Sequence, residues 1–459
     1  MTSESLGQFT KEDLIALVLA QVEQIRAQAA QIATLTARVA ELETRLGQPP
    51  KTPDNSSLPP SKGQKANRPP PGAGPKPKRR GRPGVARELA EHPDHVREVF
   101  ADTCTGCGHA ADPADQPDVQ AYDHIDIPPL QVITTRVHLH SGTCACCGKP
   151  IAATPPADMP PGSPFGPGIA ALILLLHTRH MVSFNRLQEL LAELVGLDIS
   201  EGAIANIWAR AAKPMAAEAE RIAAVVRASP VIASDETSSR VKGKTWWQWV
   251  IGSPTAVSHR IADTRGAKVV TEFMAGSRPE VWVSDRYSAQ KGHADVQQVC
   301  LAHVLRDTQF AIDTGDWTFA RPFKELLQEA IAVAPCRDCL DDATLAAYRG
   351  DLECELQTLL DRRPATEAGV KLSAAMARWK HCLFVFIVRR DVPPTNNVSE
   401  QRLRMSVIFR KVTNGFRSVL GSAVYADIAS ATATGRLHGH SALASIRRCL
   451  AGQTVLNSS

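Results

Sequence analysis

Two short apolar runs constrain this chain more than any other feature, because each of them stops at an aspartate. Val231-Ile232-Ala233-Ser234 runs into Asp235, and Val281-Trp282-Val283-Ser284 runs into Asp285. Runs of this length, rich in β-branched and aromatic residues, predict strands, so both carboxylates are expected at strand ends. Between them Thr245 to Gly252 and Val257 to Ala262 read as two more strands separated by turn residues. Val299-Cys300-Leu301-Ala302 reads as a fifth strand, and Val304 to Ala311 as the helix after it. A third acid comes late: Glu400 lies in Thr395-Asn396-Asn397-Val398-Ser399-Glu400-Gln401-Arg402-Leu403-Arg404, where a Thr or Asn cap opens a helix whose first turn carries the acid.

Three meandering strands, a fourth strand ending in Asp, and a late helix bearing Glu is the order of the ribonuclease-H-like fold, here within an α/β domain at 230–420 with a helical insertion at about 312–391. The residue types suit a definite chemistry. Magnesium and manganese take hard oxygen ligands and keep several waters, so a few converging carboxylates on rigid elements hold two ions about 3.5 to 4 Å apart for phosphoryl transfer. Glu236 and Asp263 serve as contrasts. Glu236 points to the opposite face of the strand from Asp235, and Asp263 falls in a turn, so both are expected to tolerate amide substitution. Trp247, Trp249 and Ile251 share one strand face and read as core. The Glu400 helix also carries Arg402, Arg404, Arg410 and Lys411, with Arg417 close behind, cations that phosphates of a DNA substrate require.

The N-terminal third is modular. Val18, Ile25, Ile32, Val39 and Leu46 recur every seven residues with Leu14, Leu35 and Leu42 at the companion position, which predicts a coiled coil over 1–47, parallel and dimeric. Gln21 and Gln28 interrupt its second seam. Residues 48–85 form a basic Pro-rich linker that cannot bury enough apolar surface to fold unaided. Lys51 to Arg82 hold nine basic residues and one acidic, a balance of +8 against a whole-chain net charge of +5, which leaves −3 for the remainder. The positive charge is therefore local, and Lys76, Lys78, Arg79, Arg80 and Arg82 are placed to lie along phosphates or in a minor groove.

Cys104-Thr105-Gly106-Cys107-Gly108 and Cys144-Ala145-Cys146-Cys147-Gly148 are paired knuckles in a module at 86–150, with the spacing of a tetrahedral four-thiolate zinc site in Cys104, Cys107, Cys144 and Cys147. Val119 to Ile127 and Val132 to His140 alternate like a hairpin between them, and Cys146 is a spare thiol. A helical region at 168–226 contains Gly168 to Arg179, Phe184 to Val195 and Ser200 to Ala212. It reads either as a DNA-binding helix-turn-helix or as a packing bundle. Cys300, His303, Cys336 and Cys339 have spacing compatible with a second zinc, but Cys300 in an apolar run favours burial. Residues 421–459 read as a helical tail. No apolar run reaches transmembrane length and no signal pattern opens the chain, so a cytoplasmic, nucleoid-associated protein is expected.

With these residues in view the sequence resembles a known family. Ser234-Asp235-Glu236-Thr237, Ser284-Asp285-Arg286-Tyr287, Cys300-Leu301-Ala302-His303-Val304-Leu305-Arg306 and Asn396-Asn397-Val398-Ser399-Glu400-Gln401-Arg402 look like the Asp-Asp-Glu transposases of the bacterial insertion sequence 66 family. Asn55-Ser56-Ser57-Leu58-Pro59-Pro60-Ser61 and the two knuckles match in order, while Leu301 stands where that family usually has an aromatic. The resemblance implies a catalytic triad of Asp235, Asp285 and Glu400 with Mg2+ or Mn2+. It also implies element ends and target DNA as partners, a homodimer or larger assembly, and small accessory proteins from the same element. The competing readings are a catalytically silent DNA-binding regulator and a metal-dependent nuclease.

Overall fold

A computed structural model describes residues 10–46, 49, 51–52, 54–55 and 87–457. The chain divides into two compact units. One takes the described residues within 65–161 together with 185–201; the other takes those within 1–64, 162–184 and 202–459.

The larger unit is mixed α/β. Its sheet contains β3 (Val231–Val241), β4 (Lys244–Gly252), β5 (Val257–Ala262), β6 (Val281–Ser284) and β7 (Val296–Val299), in the order β5-β4-β3-β6-β7. The first three strands pair antiparallel through tight connections, whereas β3–β6 and β6–β7 pair parallel. Strand β3 is therefore antiparallel to its neighbour on one side and parallel to its neighbour on the other. The alternation of β3 and β6 explains the two-sided core. Ile232, Trp249, Ile251 and Trp282 pack with Met215, Ile222 and Val226 of helix α4 (Glu201–Arg227) and with Tyr425 and Ile428 of helix α12 (Val419–Leu437). Val231, Val281, Val283 and Val299 pack against helices α6 (Leu301–Asp313), α7 (Ala320–Val333), α8 (Asp342–Leu360), α9 (Glu367–Trp379) and α10 (Val385–Val388). Those helices fill the interval before α11 (Asn397–Thr413), the helix of Glu400.

Glu218 of α4 is buried and closes the unit at its end: it accepts from Arg221 Nε at 2.6 Å, from Thr454 Oγ1 at 2.8 Å and from the Val455 amide at 2.7 Å. The rest of the secondary structure comprises helices α1 (Lys11–Leu46), α2 (Pro167–His180), α3 (Phe184–Val195), α5 (Lys268–Met274) and α13 (Ala442–Leu450), and the short strands β1 (Ser141–Thr143) and β2 (Pro150–Ala152). Helix α3 ends at Gly196 (φ +62°), with Leu197 N–H on the Leu191 carbonyl and Gly196 N–H on that of Ala192, a closing motif that satisfies the last carbonyls.

Four expectations are corrected. Asp235 does not end its strand: β3 continues to Val241 because its antiparallel partner β4 continues with it, and only the parallel pairing to β6 stops at Ala233. The fifth strand is Val296–Val299, and the residues expected in it from Leu301 onward begin α6, with Cys300 as the capping position. Ser200 to Ala212 is only the first part of a 27-residue helix. Residues 119–140 form no strands, and their apolar side chains Val119, Tyr122, Ile125, Ile127 and Ile133 are exposed. Alternation specifies a strand only where one face has something to pack on. Among the described residues, no helix is long and apolar enough to cross a membrane.

Candidate active site

The split between β3 and β6 decides where the aspartates go. The two strands pair through Ala233 and Val283 and then part, so Asp235 and Asp285 both follow the divergence. Asp235 lies opposite Val250 in the register with β4, and Val250 packs with Leu403 of α11. The strand face that carries Asp235 is thus the face that α11 covers. Ser399, Leu403, Ser406 and Phe409 form the buried stripe of that helix, a helical spacing that leaves Glu400 at its edge.

A set of backbone stitches holds the first turn of α11 in place. A Thr or Asn was expected to cap the helix; Asn396 takes the capping position, but its side chain makes no cap bond, and its Nδ2 donates to the Ser234 carbonyl at 2.8 Å, one residue before Asp235. The Asn396 amide donates to Cys300 Sγ at 3.0 Å, the Leu301 amide to the Pro394 carbonyl at 3.0 Å, and the Cys300 amide to the Ser284 carbonyl at 2.8 Å. Strand β3, strand β6 and the α11 N-terminus are thereby tied to one junction. At the far end, Arg410 donates to the Ser238 carbonyl and hydroxyl, so α11 is fastened to β3 twice.

The charges respond to this convergence. Burial pushes the Asp235 carboxyl well above its ordinary range, and the neighbouring negative charges of Glu236, Asp285 and Glu400 push it further, against one favourable bond from the Glu236 amide at 2.9 Å. The Tyr287 amide donates to Asp285 Oδ1 at 2.9 Å. Glu400 leans toward helix α6, with Oε1 3.6 Å from His303 Nε2 and 3.5 Å from Arg306. Burial holds His303 toward its neutral form, aided by the Arg306 charge and opposed by Glu400 and Asp285. Ser234 Oγ, Ser399 Oγ, Asn396 Oδ1 and His303 Nδ1 are buried polar atoms without a protein partner at this junction, an unusual concentration for groups that normally find one.

These carboxylates are close enough to repel one another, yet among the described residues no three or more His, Cys, Asp or Glu side chains gather as one metal-holding cluster. The donor chemistry nevertheless fits a hard divalent cation. Asp235, Asp285 and Glu400 each have a contact of their own, with the Glu236 amide, the Tyr287 amide, and His303 with Arg306 respectively.

Glu236 behaves differently from the sequence expectation. It does lie on the face opposite Asp235, but its side chain is only 1% exposed, and Oε1 receives Arg265 Nε at 2.9 Å and NH2 at 2.7 Å while Oε2 receives Gln290 Nε2 at 2.7 Å. Burial and the charge of Asp285 raise its carboxyl. Asp263 is exposed, as a turn acid should be. The cations also sort. Arg404, Lys411 and Arg417 are exposed. Arg402 is corrected: its guanidinium is turned inward, donates to the Ser253 carbonyl at 3.0 Å and is pulled down to about 10 by burial. It passes so close to the sheet that a Cβ on Gly252 would lie 2.4 Å from it. His303 and Arg306, three residues apart on one face of α6, were missed as partners of Glu400; their helical spacing was the available signal. Lys76, Lys78, Arg79, Arg80 and Arg82 lie outside the described residues.

In the smaller unit each cysteine pair forms its own knuckle. The Cys104 amide donates to the His109 carbonyl and the Gly108 amide to the Cys104 carbonyl, both at 2.9 Å; the Cys144 amide donates to Lys149 at 2.8 Å and Gly148 to Cys144 at 2.9 Å. Gly108 and Gly148 take φ of +72° and +71°, the left-handed turn that the motif demands. Amides of Gly106 and Cys107 hold the Cys104 thiol below its ordinary value, and those of Cys147 and Cys146 do the same for Cys144. The two pairs do not join as one cluster. Cys146 is exposed; Cys300 is buried and accepts a backbone amide, while Cys336 and Cys339 are exposed on the turn Ala334–Cys339.

A family model described as Transposase IS66 family matches residues 162–423, more than half of the chain and the whole of the Asp235, Asp285 and Glu400 neighbourhood. A search of curated proteins found no match.

Proposed function

The chain belongs to the IS66 transposase family, and we propose that it cuts DNA strands and joins the freed 3′ hydroxyl to a target at one site built from Asp235, Asp285 and Glu400. The observation that carries this reading is geometric: Asp235 and Asp285 follow the divergence of β3 from β6, and the Asn396 side chain ties the first turn of the Glu400 helix to the Ser234 carbonyl at 2.8 Å, although Asp285 and Glu400 lie 50 and 165 residues beyond Asp235 along the chain. The sheet order, three antiparallel strands followed by two parallel ones, supports a ribonuclease-H-like domain.

Asp235, Asp285 and Glu400 would hold a pair of Mg2+ or Mn2+ ions. When bound, such ions supply a Lewis acid for the phosphate and a way to activate the attacking oxygen at neutral pH. The protein residues supply position and charge. Asp235 and Asp285 are set by the β3–β6 split, and Glu400 by the Asn396 stitch to Ser234. His303 and Arg306 offer Glu400 a partner while its carboxylate is not otherwise engaged. Exposed Arg404, Lys411 and Arg417 are suited to the DNA backbone, a role in which point charges and forked guanidinium groups serve well. We assign the knuckles of Cys104, Cys107, Cys144 and Cys147 to one structural Zn2+, helix α1 to pairing, and the basic linker to sequence-independent DNA affinity.

Replacing Asp235 or Asp285 by Asn, or Glu400 by Gln, keeps shape but removes a charged ligand, so each change is expected to abolish cleavage and joining while DNA binding stays within about twofold. Assays with intact and pre-nicked ends separate the steps. Cleavage without joining would identify a nuclease, and full cleavage by Asp235→Asn would end the assignment of this site.

A further inference from the structure

We infer that Glu236 is a positioning residue that fixes the carboxylate of Asp285 through a circuit of Arg265, Gln290 and Tyr287. This inference rests on the reading of Asp285 as a metal-holding acid. The circuit begins on the sheet face opposite Asp235. The Glu236 carboxylate binds two separate segments at once: Arg265, in the turn after β5, through Nε at 2.9 Å and NH2 at 2.7 Å, and Gln290, in the turn after β6, through Nε2 at 2.7 Å. Gln290 is fully buried and its Oε1 receives Trp282 Nε1 at 3.1 Å, so the far end of the Asp285 loop is anchored to β6 itself.

The near end is held through Tyr287. Its hydroxyl donates to the Arg265 carbonyl at 3.1 Å, and its ring lies 3.9 Å from the Arg265 guanidinium, which has the Trp247 ring within 4.7 Å. The amide of the same Tyr287 donates to Asp285 Oδ1 at 2.9 Å. Tyr287 and Gln290, the two anchors of the stretch from Asp285 to Gln290, thus both lead to the Arg265–Glu236 pair. The chemistry suits a holder and not a metal ligand. Both oxygens of Glu236 are already occupied by strong donors, and its side chain is 1% exposed. A carboxylate with a forked cation on one side and an amide on the other fixes geometry better than a single bond. A metal site needs such support, because ligands held loosely lose affinity.

Mn2+ binding to the DNA-free full chain, followed by titration calorimetry and by the loss of the free-ion paramagnetic resonance signal, tests this without reference to turnover. Glu236→Gln is expected to weaken Mn2+ binding about tenfold or more and to lower strand cleavage in parallel, with DNA binding unchanged. Arg265→Lys is the discriminating variant. It retains the positive charge but not the fork, so positioning requires it to weaken Mn2+ binding as well, whereas a purely electrostatic influence leaves binding at the wild-type level. Tyr287→Phe, which removes only the hydroxyl contact, provides a mild change if Glu236→Gln does not fold; a smaller loss of Mn2+ affinity, about twofold to threefold, is expected. Wild-type affinity in folded Glu236→Gln or in Arg265→Lys overturns the inference and leaves the three-acid site intact. Wild-type protein whose Mn2+ binding is absent, or is unaffected by Asp285→Asn, overturns the site reading and this inference together.

Discussion

At the scale of single residues, two arginines of α11 divide into one that is held by the protein and one that is left exposed. Arg402 and Arg404 are two positions apart, and in the sequence both look like DNA-facing cations. Helix phase separates them: Ser399, Leu403 and Ser406 face the sheet, and Arg402 is drawn in at the edge of that stripe, while Arg404 remains outside. Arg402→Ala is therefore expected to lower stability by about 1 to 3 kcal/mol, as a buried carbonyl at Ser253 loses its charged donor, with little change in DNA affinity. Arg404→Ala and Arg417→Ala should reverse the pattern, keeping the melting temperature and reducing the salt dependence of binding by about one unit of slope each. Melting curves and a salt series on the same samples check both halves. Asp285 and Glu400 lie where the sequence put them, just past β6 and in the first turn of α11, whereas Asp235 lies within β3 and not at its end. The setting of Glu236 was not legible, since alternation gives its face but not the Arg265 and Gln290 that occupy it from loops 29 and 54 residues away.

At the scale of elements, legibility followed partner availability. The runs that became β3, β4, β5 and β6 carry enough β-branched and aromatic residues to specify strands, and each found a neighbour in the sheet. Residues 119–140 have the same alternation without a layer to cover them, and they form no strand. The end of the last strand was misplaced because Cys300 and Leu301 are as apolar as Val299; the helix starts there since Cys300 N–H is spent on Ser284 and Leu301 N–H on Pro394. The seat of α11 depends on one side chain that reads as a cap. Asn396→Ala removes the bond to the Ser234 carbonyl, and is expected to cost about 1 to 3 kcal/mol and to reduce cleavage by more than it reduces DNA binding, because the displaced element carries Glu400. Equal losses in both assays would mean that the helix is held elsewhere. In the smaller unit the knuckles form without each other, and joining them is the task assigned to zinc. Cys104→Ser or Cys144→Ser should eliminate stoichiometric zinc from purified protein while the larger unit keeps its melting transition, and wild-type protein with only trace zinc would refute the assignment.

At the scale of the molecule, the proposed strand transfer raises the matter of how two copies of the chain would be paired. Helix α1 is a single element of 36 residues, about 54 Å long at the usual rise. Ile25, Ile32, Leu35 and Val39 are between 52% and 65% exposed along it. A bare apolar seam repeated every seven residues is the feature that a second copy of the same helix covers best. Burying charge at two core positions is the direct challenge: Ile25→Asp with Ile32→Asp in the full chain should shift sedimentation from dimer toward monomer. The basic linker adds a second, separable term. Lys51 sits over the Phe310 ring at 5.5 Å, and Asn55 is buried against α6 with Nδ2 2.9 Å from Asp313 Oδ2, so the start of the linker belongs to the larger unit and a deletion meant to remove charge alone should begin after it. Deleting 62–82 is expected to weaken binding to every DNA sequence and flatten the salt dependence without altering sedimentation. The aspartate pair is expected to do the opposite, leaving the salt slope per chain intact while uncoupling the two ends. If the aspartate variant keeps the mass of the wild type, α1 does not pair the subunits, and the contact that does must be sought on the larger unit.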